Sequence, residues 1–344
     1  MKRDLQEDDS ALSDVIGMVM LLAMIVIVLS SAIIILQPYI ADYDDNKKWS
    51  QAKVIADQID ERIRMVGVSP QDTGSIQTFE LASTSIKGLD NAEYWTISGD
   101  VFGSDIIDVE LSSFNSVNVQ SINNTATYAI VNNGGNITTH TLNFENDTAN
   151  INFINYMDKL LIVEILNVDS EVIHKYVRLE ISGIGIDTAL STGNFDIDLV
   201  NGARMEKLYG DAYKVVRYPS LRHSSMPDNS QQLSFVLVDV DMSLLSGSSN
   251  TFSLQMVSEG PLELFGGDVR NIRMSMTNEI DESMTDRYMS YWMEDYNMNL
   301  ASGTLNSYEG LGPWKRVSGI DGVGIHPLEK SILTEIVLHR VVIK

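Results

Sequence analysis

The chain has 344 residues and a formal net charge of −23, and 44% of its residues are hydrophobic. So acidic a protein repels nucleic-acid phosphates, which argues against DNA or RNA as a partner. The chain contains no cysteine, which excludes disulfides, thiol catalysis and cysteine–zinc sites. The length and apolar content predict a folded protein that has room for two domains.

The first feature along the chain is an uncharged apolar run from Val15 to Leu36. As a helix this run would span about 33 Å, close to the thickness of a bilayer core. A buried core helix is the first alternative, but such a helix is seldom apolar on every face. A cleaved secretory signal is the second, but the run is longer than a signal core and no A-x-A-like site follows it. The sequence therefore predicts one membrane-spanning helix.

The charges around this helix do not fix its orientation. Lys2 and Arg3 precede it, and Lys47, Lys48 and Lys53 follow it, so the positive-inside rule gives no answer. A long domain follows the helix, and long domains translocate largely regardless of charge. Three Asn-x-Thr sequons also lie close together, which favours an exposed, extracellular position for this domain; they begin at Asn123, Asn136 and Asn146.

The residues before the apolar run carry a family resemblance. Residues 11–17 read ALSDVIG and lead directly into the hydrophobic helix. This start resembles the N-terminus of archaeal type IV pilins and pilin-like surface proteins. The resemblance implies a leader of residues 1–11, removed by a prepilin peptidase between Ala11 and Leu12. It also implies assembly with other pilin-like subunits through the retained helix, with roles for Asp14 and Gly17.

The resemblance implies a function in a cell-surface filament, and the size of the following domain favours a minor or tip subunit for adhesion or assembly. The family usually has Lys or Arg two residues before the cut, where this chain has Ser10. That departure favours an alternative, a permanently anchored extracellular binding module that does not assemble. An ectoenzyme is a third hypothesis, which would need a cluster of catalytic groups assembled by folding.

A second helical pattern follows the apolar run. Apolar residues recur at steps of three and four over residues 47–66, among them Trp49, Ile55, Ile59 and Ile63. This spacing predicts an amphipathic continuation of the first helix that packs on the head. Gly67 is a suitable stop.

From about residue 75 the pattern changes to short alternating runs bounded by Gly, Asn, Ser and Asp, which predicts a mainly β, sandwich-like head. We therefore expect an α+β fold, in which one long N-terminal helix (residues 12–67) precedes two β units, residues 70–200 and 201–344. One short inserted helix is predicted at residues 283–298, with Met284, Tyr288, Trp292 and Tyr296 on its buried face. Strands are predicted at residues 78–81, 106–111, 127–131, 159–166, 175–181, 233–240, 251–257, 271–276 and 336–343.

The search for catalytic or metal-binding motifs favours no enzyme, metal or cofactor. Asp42, Asp44 and Asn46 begin like a calcium loop, but Lys47 and Lys53 stand where an EF-hand has Gly and Glu. The histidines are scattered, and no metal motif includes them. The Gly-x-Gly pairs at 183–185 and 322–324 lack the third glycine of a dinucleotide site, and we interpret them as turns.

Two charged groups in the second half of the chain remain candidates. Asp239 and Asp241 lie on one face of a predicted strand, where they could bind calcium or act as an acid–base pair, although a solvent-facing strand explains them more simply. Lys214, Arg217 and Arg222 form a basic, tyrosine-rich stretch in an acidic chain. It could contact a surface glycan or a neighbouring subunit, or it could balance charge within the head.

Overall fold

The computed structural model describes residues 5–80, 84–103, 107–121, 123–153, 158–225, 231–242, 251–295, 314–316, 322–325 and 331–344. Within these residues one long N-terminal helix is followed by a mostly β head with one further short helix. The α+β prediction is therefore confirmed. The elements are α1 (Leu5–Gly67), β1 (Gly74–Glu80), β2 (Thr84–Asp100), β3 (Ile107–Ser113), β4 (Ser116–Ser121), β5 (Tyr128–Asn133), β6 (Asn136–Thr141), β7 (Thr148–Asn152), β8 (Leu160–Leu166), β9 (Val172–Leu190), β10 (Gly193–Val200), β11 (Ala203–Lys207), β12 (Lys214–Arg217), β13 (Leu221–Ser225), β14 (Gln231–Met242), β15 (Thr251–Asn278), α2 (Ser283–Asp295), β16 (Trp314–Arg316), β17 (Gly322–Ile325) and β18 (Ile332–Ile343).

Helix α1 is continuous for 63 residues and passes through Pro38. Proline cannot donate to the carbonyl four residues earlier, so the helix loses one ladder bond at Ile34 without ending there. The two helical patterns in the sequence, residues 15–36 and 47–66, are thus parts of one helix. Gly67 ends it as predicted, packed against the side chain of His339.

The head is built on one broad sheet whose main strand order is β12-β11-β10-β9-β2-β15-β18-β14-β13. The long strands β2, β9 and β15 let the sheet fold over on itself. The first part of β15 pairs with β1 and β18, and its last part pairs with β2 and β17. A sandwich core forms between these halves, with Trp95 of β2 and Phe235 of β14 in ring contact at 5.0 Å.

The two predicted β units, residues 70–200 and 201–344, are joined in this sheet. Strand β2 from the first range pairs with β15 from the second, with Trp95 opposite Met276. Residues 201–230 do not separate two folds, because β11 and β12 extend the sheet beyond β10. The head therefore folds around long-range pairings that the chain order does not reveal.

An inserted lobe, residues 101–171, lies between β2 and β9. Its sheet β3-β4-β7 packs against β5 and β8, which continue the main sheet beside β9. Its core is made of small and branched apolar side chains, among them Val109, Val119, Val131, Val163 and Ile165. Besides the pairing of β8 with β9, an ion pair of 3.3 Å between Arg273 and Asp108 joins the lobe to the rest of the head.

Two glycine pairs lie in strands, so their prediction as turns is wrong. Gly183 and Gly185 are in β9, and 322–324 are in β17. A Cβ at Gly183 would lie 2.5 Å from the carbonyl oxygen of Leu199 in the neighbouring strand. Glycine is needed there because the neighbouring strand approaches so closely.

Helix α2 packs one face on the sandwich core. Met284 and Tyr288 are completely buried, as the four-residue spacing predicts. The described part of the helix runs from Ser283 to Asp295, and residues 296–298 of the predicted helix lie outside the described residues. The side chain of Trp292 and all of Tyr296 lie outside the described residues, so the expected burial of Trp292 stays a prediction.

Candidate functional site: the apolar helix and its junction with the head

The N-terminal half of α1 is apolar and uncovered. From Ser13 to Ile40 every side chain is exposed, and the most apolar part of this helix has no residue buried against the head. An exposed apolar surface of this length is not stable in water. The length and composition of the helix suit a single membrane span, and another apolar helix could cover the same surface.

Polar groups within this exposed half are few. Ser31 donates a hydrogen bond of 2.8 Å from its hydroxyl to the carbonyl of Ile27, so its polar atom is satisfied within the helix. Asp14 is exposed near the start of the span. At Gly17 no atom lies within 4 Å of where a Cβ would be, so the backbone there is open to close approach by another helix.

Upper α1, residues 45–66, is fixed to the head by an apolar stripe. Ala52, Ala56 and Ile59 are completely buried, and Ile55 and Ile63 are nearly so. They pack on side chains from the sandwich, including residues of β9, β10, β14, β15 and β18. The predicted amphipathic helix is therefore confirmed, and its apolar face forms one side of a core.

Five further contacts between α1 and the head lie beside this stripe, at steps of three or four residues along the helix. We call these contacts the ladder. Asp45 accepts hydrogen bonds of 3.1 and 3.0 Å from the backbone N–H of Ser191, in the β9–β10 turn. The Ser191 hydroxyl also donates to Asp45. This hydroxyl bond first, and the backbone bonds second, lower the pKa of the Asp45 carboxyl. The other four contacts of the ladder are the ring contact of Trp49 with Phe195 and three ion pairs: Lys53 with Glu206, Asp57 with Arg204, and Asp60 with Arg217. The ladder and stripe together hold the upper helix and head in one orientation.

The ladder changes the interpretation of the basic stretch. The guanidinium of Arg217 is bound to Asp60 of α1 and to the carbonyl of Gly202, so it serves the junction of helix and head. Lys214 and Arg222 are exposed. A glycan or subunit contact remains a prediction for those two residues, without Arg217.

The three sequon asparagines all belong to the inserted lobe. Asn123 lies between β4 and β5, Asn136 begins β6, and Asn146 lies in the turn before β7. All three side chains are exposed. Glycosylation stays a prediction, and the exposed positions are compatible with it.

The bond between Ala11 and Leu12 lies within the helical backbone of α1, which begins at Leu5. The side chains of these two residues lie outside the described part of the chain. Cleavage at this bond therefore remains a prediction from the sequence.

A buried carboxylate that the sequence did not reveal lies where α2 meets the sheet. Glu93 of β2 is completely buried. It accepts hydrogen bonds from Trp95 Nε1 at 2.8 Å and from the amides of Asn201 and Asn278 at 3.2 Å, and the Tyr288 hydroxyl lies near it. Burial raises the pKa of Glu93 to about 7, and these polar neighbours limit the rise. The cluster ties four separate elements together.

The predicted carboxylate pair Asp239 and Asp241 faces a groove of about 350 Å³ between the lobe and the sandwich. Asp239 accepts a hydrogen bond from the N–H of Ser182 at 2.9 Å and lies 3.7 Å from Arg340. Asp241 lies 3.5 Å from Lys159. Each carboxylate thus has a basic neighbour inside the protein, an arrangement that favours a structural role over calcium binding.

A buried His–Asp pair and a cavity are the other features that could suggest an active site. His174 Nδ1 lies 2.6 Å from Asp100, and the His174 side chain is only 2% exposed, so the imidazole itself is buried. A cavity of about 380 Å³ lies under the end of α1, lined by Ile63, Val68, Val236 and Val238 with Arg64 at its edge. Among the described residues no three His, Asp or Glu side chains are grouped as metal ligands would be.

Comparisons with protein-family models, curated proteins and solved structures found no match for this chain. Its function is therefore inferred from its own residues and geometry.

Proposed function

We propose that this chain is a pilin-like surface protein, a minor or tip subunit of a cell-surface filament for adhesion or assembly. Before assembly it is a single-pass membrane protein with its head outside the cell. Its partners are then membrane lipid, a prepilin peptidase and other pilin-like subunits, with surface glycan as a candidate ligand of the head.

The observation that carries this proposal is the division of α1 into two halves. The lower half is apolar and uncovered, and the upper half is fixed to the head by the stripe and the ladder. A helix that only anchors a domain needs no such rigid junction. A subunit whose helix packs among others does need one, because the helix then determines where each head is placed.

Transfer from membrane to filament is physically reasonable for this helix. Its surroundings stay apolar in lipid and in a bundle of helices, so burial in a bundle does not require desolvating charged groups along Val15–Leu36. In such a bundle, close packing and small residues provide specificity. Gly17, with its open backbone, is the position that best allows a close approach.

The alternative is the permanently anchored binding module, favoured by Ser10 in place of the family's basic residue. The two functions predict different locations. Cells can be sheared, and the released filaments separated from membranes and probed for this chain, with a single-span membrane protein as the control that stays behind. Presence in the filament fraction supports the subunit, and confinement to membranes supports the anchored module.

A further inference from the structure

The head begins a short distance above the apolar segment, about 13.5 Å along the helix from Leu36 to Asp45. The first charged residue after Leu36 is Asp42. Asp45 lies three residues later, a rise of about 4.5 Å along the helix. It accepts hydrogen bonds from Ser191 in the β9–β10 turn, so the head contacts the helix at this position. Less than one helical turn therefore separates the head from the first charge above the span.

The loop after β11 lies at the same level. Arg204 contacts Asp57 and Glu206 contacts Lys53, so β11 runs toward the membrane end of α1. Its continuation, Leu208 and Tyr209, reaches the β9–β10 turn. A Cβ on Gly193 of that turn would lie 2.4 Å from the ring of Tyr209, so the ring is packed directly on the glycine.

Tyr209 is nevertheless 69% exposed, and Leu208 is exposed beside it. An aromatic ring held in place and left uncovered is suited to a boundary between apolar and aqueous surroundings, where tyrosine is enriched. On α1, Tyr39 and Tyr43 are exposed just below the same level. These three tyrosines come from two parts of the chain, α1 and the loop after β11, and lie close to the end of the span.

Bases lie among the acids at this level. Lys48 acts on the charge of Asp45, and Lys87 and Lys207 act on that of Asp196, which also faces Asp187. Lipid phosphates attract lysines near a membrane surface. The local charge thus permits a contact that a uniformly acidic head would oppose.

We propose that the β9–β10 turn and the Leu208–Tyr209 loop rest on the lipid headgroups and form a second membrane contact beside α1. This contact rests on the membrane anchoring included in the proposed function. It would hold the head against the bilayer at one side of the helix, so the head could not turn freely about α1.

The absence of cysteine makes this contact measurable on the full chain. Single cysteines are introduced and labelled with a nitroxide, and the protein is placed in phosphatidylcholine nanodiscs. Collision with oxygen, which concentrates in lipid, is compared with collision with a water-soluble nickel chelate. The test site is Thr192, exposed in the β9–β10 turn, where a label leaves Leu208 and Tyr209 intact.

Two control sites calibrate the result. Val168, 74% exposed, lies just before β9, so the 19-residue strand separates it from Thr192 by about 60 Å of chain. Ile27 lies in the apolar segment and reports whether α1 is in lipid. A third comparison keeps the label at Thr192 and adds Leu208→Ser with Tyr209→Ser.

The expected oxygen-to-nickel ratio at Thr192 is several-fold higher than at Val168, and the double serine variant should bring it close to the Val168 value. A Thr192 ratio equal to that of Val168, with Ile27 in lipid, overturns the headgroup contact and leaves the anchoring intact. Low collision with both reagents at Thr192 also overturns it, because protein would then cover the turn. A water-like ratio at Ile27 rejects the anchoring itself, and the contact with it.

Discussion

Trp95 donates a hydrogen bond of 2.8 Å from its indole Nε1 to the carboxylate of Glu93, two residues away on the same strand. Both side chains are completely buried. Their contact joins the sandwich core, where Trp95 packs on Phe235, to the cluster that fixes α2 through Tyr288. A titratable group therefore lies in the centre of the head.

Glu93 should make the head less stable as the pH rises. Its pKa in the folded protein is raised from 4.5 to about 7, so folding favours the protonated form. The stabilisation is complete below about pH 4.5 and is lost by about pH 7. A shift of this size corresponds to about 3 kcal/mol. Urea unfolding of the full chain in detergent across this range measures it.

Glu93→Gln removes this titration, so the fall in unfolding free energy across the window should be smaller by that amount. Asp169→Asn, at an exposed site, is the control and should behave like the unmodified chain. An identical pH dependence in Glu93→Gln and the unmodified chain would show that the Glu93 proton is not linked to folding.

The junction of α1 with the head should depend on its buried stripe. Ile59 is completely buried against the sandwich, while Val54 on the same helix is 50% exposed. Ile59→Ala should lower the unfolding free energy by about 3 kcal/mol, because the buried side-chain carbons beyond Cβ are lost and a cavity remains. Val54→Ala should change it by less than about 0.5 kcal/mol. Equal effects of the two variants would contradict the packing of α1 on the head.

The sequence predicts this junction because its signal is local. Ile55, Ile59 and Ile63 repeat at the helical period, and only one face of a helix can be buried at a surface. The predicted strands also fall on observed ones, because alternation is local as well. Those at residues 251–257 and 271–276 are both parts of β15, whose register shifts between Ser258 and Pro261.

The sequence does not predict strand β2, because the local pattern in its middle is that of a turn. Its middle holds Gly88, Asp90 and Asn91, residues typical of turns, and the strand accommodates them as a bulge between Leu89 and Glu93. Two partners of Glu93, Asn201 and Asn278, are 108 and 185 residues away along the chain. A local sequence pattern cannot predict such a cluster. The pairing of Arg217 with Asp60 is not predictable either, because these residues are 157 positions apart in the chain.

Glycan should be present on at least one of Asn123, Asn136 and Asn146 in native material. All three are exposed in turns or at a strand end of the inserted lobe, where a glycan can extend into solvent. Peptide mass spectrometry measures the modification at each site, and Asn-to-Gln at each position is the matched control. Unmodified masses for all three peptides would remove this support for an extracellular head.

Asp14 should matter for assembly and little for folding. After cleavage at Leu12 it would lie two residues from a new α-amine, and pairing with such an amine would relieve the cost of a carboxylate beside apolar surroundings. Asp14→Ala in the native host should leave membrane levels unchanged and reduce the chain in sheared filaments, measured by quantitative blotting.

Asp14→Asn is the matched variant for that test, since it keeps the size and removes the charge, and it should be as defective as Asp14→Ala. Normal filament yield from both variants would mean that the carboxylate stays hydrated at the headgroups and has no part in assembly.

The most direct test of the pilin-like assignment is the mass of the N-terminal peptide of the native protein. A pilin-like subunit is expected to begin at Leu12, with residues 1–11 removed and the apolar helix retained. Surface-exposed protein that still begins at Met1 would contradict it and would favour the permanently anchored module.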